Sequence, residues 1–195
     1  MPVRPPRGAE AGIPAVLSAM GDLVKVPGFV RQILGGLQVG VPAVTTPHTL
    51  HNIGLDSLAS GRGLDAAETT GMGYLVTQNT RVVASAEVAL DEGGRPRGLS
   101  NFARGQDLQG TLRVFELLDD LPDVRNRAFE LRVLRIPALH MRAVWLKDQD
   151  GDDDLFLPVG PPDEVRPRPI PASQFLDELR QRAEAALSVS DDVES

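Results

Sequence analysis

Three apolar runs in the second half of the chain constrain its fold more than any other feature. They cover residues 128–136, 138–147 and 155–159. Pro137 separates the first two runs, and the acidic segment 148–154 separates the second from the third. Apolar runs of this length, separated by short turn segments, are typical of strands joined by hairpins. Strands connected in this way form an antiparallel sheet.

Two more strands and a helix are predicted just before these runs. Alternating apolar residues over 82–90 and a second stretch at 97–103 flank the turn sequence 91–96, which predicts another hairpin. An apolar stripe then follows Asp107, a good N-cap residue, and predicts an amphipathic helix that Pro122 ends. The sequence therefore predicts an α+β fold: an antiparallel sheet of about five strands with one central helix across it, plus N-terminal and C-terminal helices.

The length of 195 residues suits one main domain with additional segments at its ends. The predicted organisation has five parts: a disordered N-terminus (1–12), a low-charge, partly helical arm (13–63), an α+β core domain (64–160), a proline-rich linker with a C-terminal helix (161–188) and a disordered tail (189–195).

The arm is unusual because it carries so little charge. Its apolar spacing predicts two helices, at 13–24 and 29–37. From residue 11 to residue 60 the charged residues are Asp22, Lys25, Arg31 and Asp56. A segment exposed to water would carry more charge, so we expect it to be covered, either by its own domain or by a partner. Self-association is the simplest form of such a partner, because most oligomers are homo-oligomers.

The composition excludes several classes of function. The chain has no cysteine, which excludes disulfides, thiol catalysis and thiolate metal sites, and which fits a reducing compartment. We find no secretory signal and no apolar run long enough to span a membrane, so the expected location is the cytoplasm. The net charge of -7 disfavours binding to nucleic acid, because phosphate backbones repel an acidic protein.

Phosphate-loop and calcium-loop patterns are also excluded. The glycines of Gly71-Met72-Gly73 match neither a dinucleotide-binding nor a Walker pattern, and no cofactor is predicted. The acidic segment 148–154 contains five aspartates. Aligning its glycine with that of an EF-hand places Leu146 and Leu157 at ligand positions that require oxygen donors. We therefore interpret this segment as a solvated hairpin tip.

His48 and His51 are the candidate metal ligands. Their spacing of three aligns the two rings if residues 47–52 form one helical turn, with Pro47 at its first position. Together with His140 they would supply three imidazoles for zinc. The alternative is that both are ordinary polar residues of a loop.

The sequence Gly54-Leu55-Asp56-Ser57-Leu58 resembles the attachment motif of acyl and peptidyl carrier proteins. The resemblance implies that Ser57 accepts a phosphopantetheine arm at the start of a helix and that Asp56 helps to position it. Carriers are all-α bundles in which a long helix follows the serine, whereas residues 59–63 here end the helix at once. The alternative is a capped turn in which Asp56 or Ser57 bonds nearby backbone N–H groups.

No combination of residues in the sequence indicates catalysis. The leading hypothesis is therefore a non-catalytic protein–protein interaction or assembly module that self-associates, or binds another protein, through residues 11–60. The alternative is a small enzyme or small-molecule-binding protein with a pocket between the helix and the sheet. His140, Arg142 and Glu116 are the residues predicted near the mouth of such a pocket.

Overall fold

The structure is a computed structural model. It describes residues 3–23, 25, 43–79, 81–104, 106–160 and 168–193. The helix predicted at 29–37 and most of the proline-rich linker lie outside the described residues.

The described strands are β1 (Val3–Arg4), β2 (Ala43–Asn52), β3 (Glu68–Gln78), β4 (Arg81–Leu90), β5 (Pro96–Ala103), β6 (Phe129–Ile136), β7 (Met141–Asp148), β8 (Leu155–Pro158) and β9 (Ile170–Pro171). The described α-helices are α1 (Ile13–Leu23), α2 (Leu55–Ala59), α3 (Gln106–Leu117), α4 (Pro122–Arg125) and α5 (Ala172–Val193). Short 3-10 helices occupy Ala9–Gly12, Gly63–Ala66, Leu118–Asp120 and Pro137–Leu139.

The predicted sheet of about five antiparallel strands under one central helix is wrong, although the α+β class is correct. The described residues form a single mixed sheet of nine strands in the order β5-β4-β3-β2-β6-β7-β8-β9, with β1 beside β6, and they include five α-helices. Strand β2 pairs with β3 antiparallel and with β6 parallel. It therefore joins two antiparallel groups of strands, β2–β5 and β6–β9, into one sheet.

Strand β2 escaped prediction because it contains a proline, which is rare in a central strand. Pro47 lies where the register with β3 shifts, between Thr45 and His48, so no ladder hydrogen bond is lost there. Thr46 has a positive φ of 48° at the same irregularity. Positive φ is a strained conformation for a β-branched residue, and it redirects the strand just before His48.

The helices cover the two faces of the sheet unequally. Val16 and Met20 of α1 pack against β3 and β4, and Phe175 and Leu179 of α5 pack against β6, β7 and β8 on the same face. Helix α3 covers the opposite face, where Val114 and other apolar residues contact β6, β7 and β8. We call the side covered by α3 the α3 face. None of the helices that the structure describes is long and apolar enough to cross a lipid bilayer.

The N-terminal segment is attached to the sheet by a buried tyrosine. The Tyr74 hydroxyl on β3 donates a hydrogen bond of 2.8 Å to the carbonyl of Ala9. A Cβ atom added at Gly12 would lie 2.1 Å from this hydroxyl, so glycine lets the segment approach the ring closely. Ala9 and Tyr74 are both buried, which fixes the 3-10 helix against the core.

The central position of β2 predicts slow amide exchange. Residues 49–52 pair with β3 on one side and β6 on the other, so exchange requires the sheet to open. We expect these amides to be protected as strongly as those of β6 and β7. In the described part of the chain β5 pairs only with β4, and its amides should exchange faster. Hydrogen exchange followed by NMR measures both, and loop-like rates in residues 49–52 would contradict this topology.

Candidate functional site

Two glycines of β3 leave part of the α3 face of the sheet without side chains. Gly71 and Gly73 occupy alternate positions of β3, so both would point side chains toward that face. A Cβ atom added at Gly73 would lie 2.2 Å from Nε2 of His48, and one at Gly71 would lie 2.7 Å from the carbonyl oxygen of Val88. Glycine inside a strand often marks a place where another group approaches the backbone closely. Here the approaching group at Gly73 is an imidazole.

The His48 ring is oriented by the strained turn before it. Its Nδ1 lies 2.9 Å from the carbonyl oxygen of Thr46, the residue with positive φ. A carbonyl only accepts hydrogen bonds, so Nδ1 carries the proton and Nε2 presents its lone pair. Phe115 of α3 packs edge-on against the ring, with centroids 5.3 Å apart. These contacts fix both the tautomer and the direction of Nε2.

A charged pair crosses the part of the α3 face that Gly71 and Gly73 form, which we call the glycine floor. Arg135 on β6 reaches over β2 and β3 to Glu87 on β4, and its two terminal nitrogens each bond one carboxylate oxygen. The Nη1–Oε2 distance is 3.1 Å. The side chains are 22% and 16% exposed, so most of this pair is shielded from water. A two-point guanidinium–carboxylate pair of this kind fixes both groups in orientation as well as in position.

Gly73, the His48 imidazole and the Glu87–Arg135 pair border a cavity of about 30 Å³ beneath α3. A cavity of this volume holds roughly two water-sized groups, at about 10–15 Å³ each. Leu108 and Thr111 of α3 form its roof. The polar side chains in its lining are His48, Ser85, Glu87, Thr111, Arg135 and Arg142.

Burial keeps His48 neutral. The pKa of the ring is lowered from 6.5 to about 4, chiefly by burial and in smaller part by the positive charges of Arg135 and Arg142, while the hydrogen bond to Thr46 and the Glu87 carboxylate act in the opposite direction. With His48 neutral, the charged groups in the cavity lining are two guanidiniums and one carboxylate.

Two buried polar atoms lie beside this cluster without a hydrogen-bond partner among the described residues. They are Nε of Arg135, a donor, and Oδ1 of Asn52, an acceptor. The two residues are register partners in the parallel pairing of β2 with β6, so they are neighbours across the strands. Unsatisfied buried polar atoms cost free energy and are rare in folded proteins. Arg135 lines the cavity, whereas Asn52 lines a separate surface pocket.

The structure brings only one of the three predicted pocket residues to this cavity. Arg142 of β7 is opposite Arg135 and lines the cavity. Glu116 is exposed on α3. His140 is exposed at the end of a 3-10 helix, where its φ is 49°. The cavity does lie between the central helix and the sheet, where the sequence analysis places a possible pocket.

The two candidate metal ligands lie on opposite faces of the sheet. His48 is opposite Gly73 on the α3 face, whereas His51 is paired with Leu134, which packs under α5. A helical turn would have aligned the rings of His48 and His51. These residues instead lie in a strand with a register shift, and their rings are on opposite faces. Among the described residues, no group of three or more His, Asp or Glu side chains could hold a metal ion.

His51 is enclosed in a separate network. Its Nε2 is 2.9 Å from the Thr49 hydroxyl and its Nδ1 is 3.3 Å from the Thr69 hydroxyl, so both ring nitrogens have partners. Its ring packs edge-on against Trp145, with centroids 5.1 Å apart. Burial, with a further contribution from Arg132, lowers the pKa of His51 from 6.5 to about 4. This histidine is used in packing.

Ser57 lies in the short helix α2. Its hydroxyl oxygen accepts a hydrogen bond of 2.8 Å from Nη2 of Arg62. Helix α2 has five residues, and its Leu58 is buried in the core beneath α5. The long helix that follows the serine in carrier proteins is not present at this position, and modification of Ser57 stays a prediction.

The acidic hairpin uses its buried carboxylates internally. Asp154 accepts hydrogen bonds from Nε1 of Trp145 at 2.7 Å, from Nζ of Lys147 at 3.2 Å and from the backbone N–H of Asp148 at 2.9 Å. Asp148 in turn pairs with Arg127. These carboxylates close the hairpin and anchor it to the core.

Comparison of the chain with protein-family models, curated proteins and solved structures gives no match.

Sequence reasoning missed the glycine floor, Glu87 and Arg135. The available signal was the pair Gly71 and Gly73 at a spacing of two within an otherwise apolar segment. This spacing empties one face of a strand, although it does not resemble a phosphate-binding loop. The sequence does not indicate which residues lie over that face of β3, because they come from strands far apart in the chain.

The two buried histidines predict a loss of stability in acid. In the unfolded chain each takes up a proton near pH 6.5, whereas in the folded protein each pKa is lowered to about 4. Their contribution is therefore complete above pH 6.5 and decreases as the pH falls toward 4. We expect each to remove about 2–3 kcal/mol of unfolding free energy between pH 7 and pH 4.5. Urea unfolding at the two pH values measures this loss.

Single substitutions separate the contributions to this pH dependence. His48→Gln and His51→Gln should each reduce the difference in unfolding free energy between pH 7 and pH 4.5, whatever they do to stability at pH 7. His140→Asn is the matched control, because His140 is exposed and asparagine tolerates positive φ. An unchanged pH dependence in both glutamine variants would show that these histidines are not buried in a neutral form.

Proposed function

We propose that this protein is a non-catalytic small-molecule-binding protein and that its ligand occupies the cavity between α3 and the sheet. The observation that carries the proposal is the set of fixed polar groups around that cavity: His48, the Glu87–Arg135 pair and Arg142. Binding sites are typically concave, with an apolar lining and a few polar groups that fix orientation. Leu50, Leu75, Leu108 and Val133 supply the apolar part of this lining.

The chemistry of the lining supports binding over catalysis. His48, with a pKa of about 4, is a weak base at neutral pH. Glu87 accepts two hydrogen bonds from Arg135, so its carboxylate is already engaged. Such groups can position a ligand without moving a proton. They are also preorganised, which reduces the entropy that binding must overcome.

The fold supports this proposal over assembly through residues 11–60 for a specific reason. The low charge of that segment suggested that something covers it. In the structure α1 packs on the sheet with Val16 and Met20 buried, and β2 lies in the middle of the sheet. The protein's own core therefore accounts for the low charge of these parts, without a partner.

Filling the cavity should abolish binding. Ser85→Leu makes a side chain that lines a space of about 30 Å³ larger by two non-hydrogen atoms. We expect compounds from a small-fragment set of acids, amides and alcohols to shift the amide signals of Gly73 and Thr111 in the wild-type protein. The same compounds should give no shift in Ser85→Leu. NMR spectra of the 15N-labelled protein measure both results.

The control is Ser173→Leu, the same substitution at an exposed position on α5. This variant should bind the fragments as the wild type does. Equal binding by Ser85→Leu would contradict the proposed location of the site. If no fragment shifts these signals in the wild type, the proposal of small-molecule binding is itself contradicted.

Self-association remains a second proposal, and one observation supports it. Leu17 on α1 is 43% exposed, and among the described residues no other large apolar side chain is exposed. It lies within the segment 11–60 from which the sequence analysis predicts assembly. The setting that we propose for either function is the cytoplasm, without nucleic acid as a partner, on the grounds of the cysteine-free and acidic composition.

The Leu17 surface gives this second proposal a direct test. If α1 mediates a dimer, light scattering at high protein concentration should give twice the chain mass of 20.9 kDa. Leu17→Glu should return the mass to that of one chain, because a charge cannot be buried in an apolar contact without a large cost. A wild-type protein that stays at one chain mass at millimolar concentration would contradict self-association.

A further inference from the structure

We infer that a second binding site lies at the end of the parallel strands β2 and β6, and that it takes a small molecule through a neutral primary amide group bonded to Asn52. Among the described residues, the linings of this site and of the cavity beneath α3 have no member in common. The inference therefore goes beyond the proposed function and does not depend on it. The topology of the sheet, the unpaired oxygen of Asn52 and the other polar groups of the lining each support one part of it.

The strand order leaves a crevice at this end of the sheet. Strands β2 and β6 are parallel neighbours, so both end at the same edge, at Asn52 and at Ile136. The chain then leaves them in opposite directions, through α2 to β3 on one side and through the 3-10 helix Pro137–Leu139 to β7 on the other. In open sheets with parallel strands, ligands bind in the crevice between two connections that diverge in this way.

A surface pocket of about 410 Å³ occupies this crevice. Residues of both diverging connections line it, among them Ser57 after β2 and Pro137 after β6, and Ile53 and Ala66 contribute to its apolar wall. Binding sites for small molecules typically have volumes of about 300–1,000 Å³. The pocket is therefore large enough for a small molecule whose alkyl part lies against the apolar wall.

Asn52 lines this pocket with a carboxamide whose oxygen is unpaired. Oδ1 is buried and accepts no hydrogen bond from the described residues. A carboxamide also carries two N–H donors, and rotation about its terminal bond exchanges the oxygen with the nitrogen, so either end can face the pocket. A primary amide presents its carbonyl and one N–H on the same edge. It can therefore pair with the carboxamide of Asn52 at two points, as asparagine pairs with the edge of adenine.

The other polar groups of the lining favour a neutral amide over an ion. Glu68 lies directly opposite Asn52 on β3 and is the charged residue among those that line the pocket. Its carboxylate would repel a ligand anion and would accept the second N–H of a primary amide. The hydroxyl oxygen of Ser57 accepts from Arg62, so its hydrogen can point to a ligand carbonyl. An alkylammonium would bond Glu68, but it offers no acceptor to the N–H groups of Asn52 or to this hydroxyl.

Three probes of equal chain length test the ligand class: propionamide, propionate and propylammonium. We expect propionamide to shift the side-chain NH2 signals of Asn52 and the backbone amides of Gly54 and Ala138 in a saturable way. Propionate and propylammonium should each bind at least about fivefold more weakly, because each lacks either the donor or the acceptor of the two-point pair. NMR titrations of the 15N-labelled protein measure the three affinities.

Substitution of Asn52 connects the amide preference to the pocket. Asn52→Leu removes the carboxamide at nearly constant volume and should weaken propionamide binding by at least about tenfold, because both hydrogen bonds are lost. Asn126→Leu is the matched control, since Asn126 is exposed and lies outside the pocket, and it should bind propionamide as the wild type does. Dispersed amide spectra establish that each variant is folded. If Asn52→Leu does not fold, Asn52→Asp, which keeps the shape and loses both N–H donors, gives the same test.

The outcomes that would overturn this inference are separate from those that would overturn the proposed function. Equal affinity for propionamide and either ion, unchanged propionamide binding in a folded Asn52→Leu, or no propionamide shift at Asn52 would each overturn it. The cavity beneath α3 is reported by Gly73 instead. Ser85→Leu fills that cavity and should leave propionamide binding at Asn52 unchanged, and a loss of this binding would show that the two sites are not distinct.

Discussion

The backbone pairing of β2 on both its edges is the interaction on which the rest of the molecule depends. Its antiparallel ladder to β3 continues into β4 and β5, and its parallel ladder to β6 continues into β7 and β8. Each half alone would be a short antiparallel group with an open edge, and open edges are prone to aggregation. One strand therefore converts two local hairpin systems into a single sheet with a continuous core.

The candidate site lies on this seam between the two halves. Arg135 belongs to one half and Glu87 to the other, and their ion pair crosses β2 and β3 above Gly73. His48 comes from the joining strand itself. A mostly buried ion pair is a weak source of net stability, because desolvation offsets most of its attraction. Under the proposed function, this pair, the strained Thr46 and the unsatisfied Nε of Arg135 would serve ligand binding at some cost in stability.

The elements that sequence reasoning identified are those whose signal is local. The hairpin of β4 and β5, the strands β6, β7 and β8, and the helices α1, α3 and α5 all carry periodic apolar patterns bounded by turns or caps. Strand β2 carries Pro47 and two histidines, and β3 carries two glycines, so both resemble loops by composition. The long-range parallel pairing of β2 with β6 supplies what their local sequences lack, since tertiary contacts override weak propensity.

The same limit explains the candidate residues. A spacing of three between His48 and His51 aligns the rings in a helix, but in a strand with an irregular register it places them on opposite faces. Of the three residues predicted near a pocket mouth, Arg142 lies on β7 and lines the cavity, whereas His140 and Glu116 are exposed elsewhere. Glu87 and Arg135 are 48 positions apart in the chain, and no pattern in the sequence relates them.

The sequence by itself determined the α+β class, the acidic and cysteine-free character of the chain, and the elements with periodic apolar faces. These properties follow from composition and from contacts between near neighbours, which a linear pattern records. Only the tertiary structure decided the strand order, the central place of β2 and the meeting of His48, Glu87, Arg135 and Arg142 around one cavity. Those features depend on hydrogen bonds and charges between residues distant in sequence, and the free energy of such contacts exists only once the sheet is assembled.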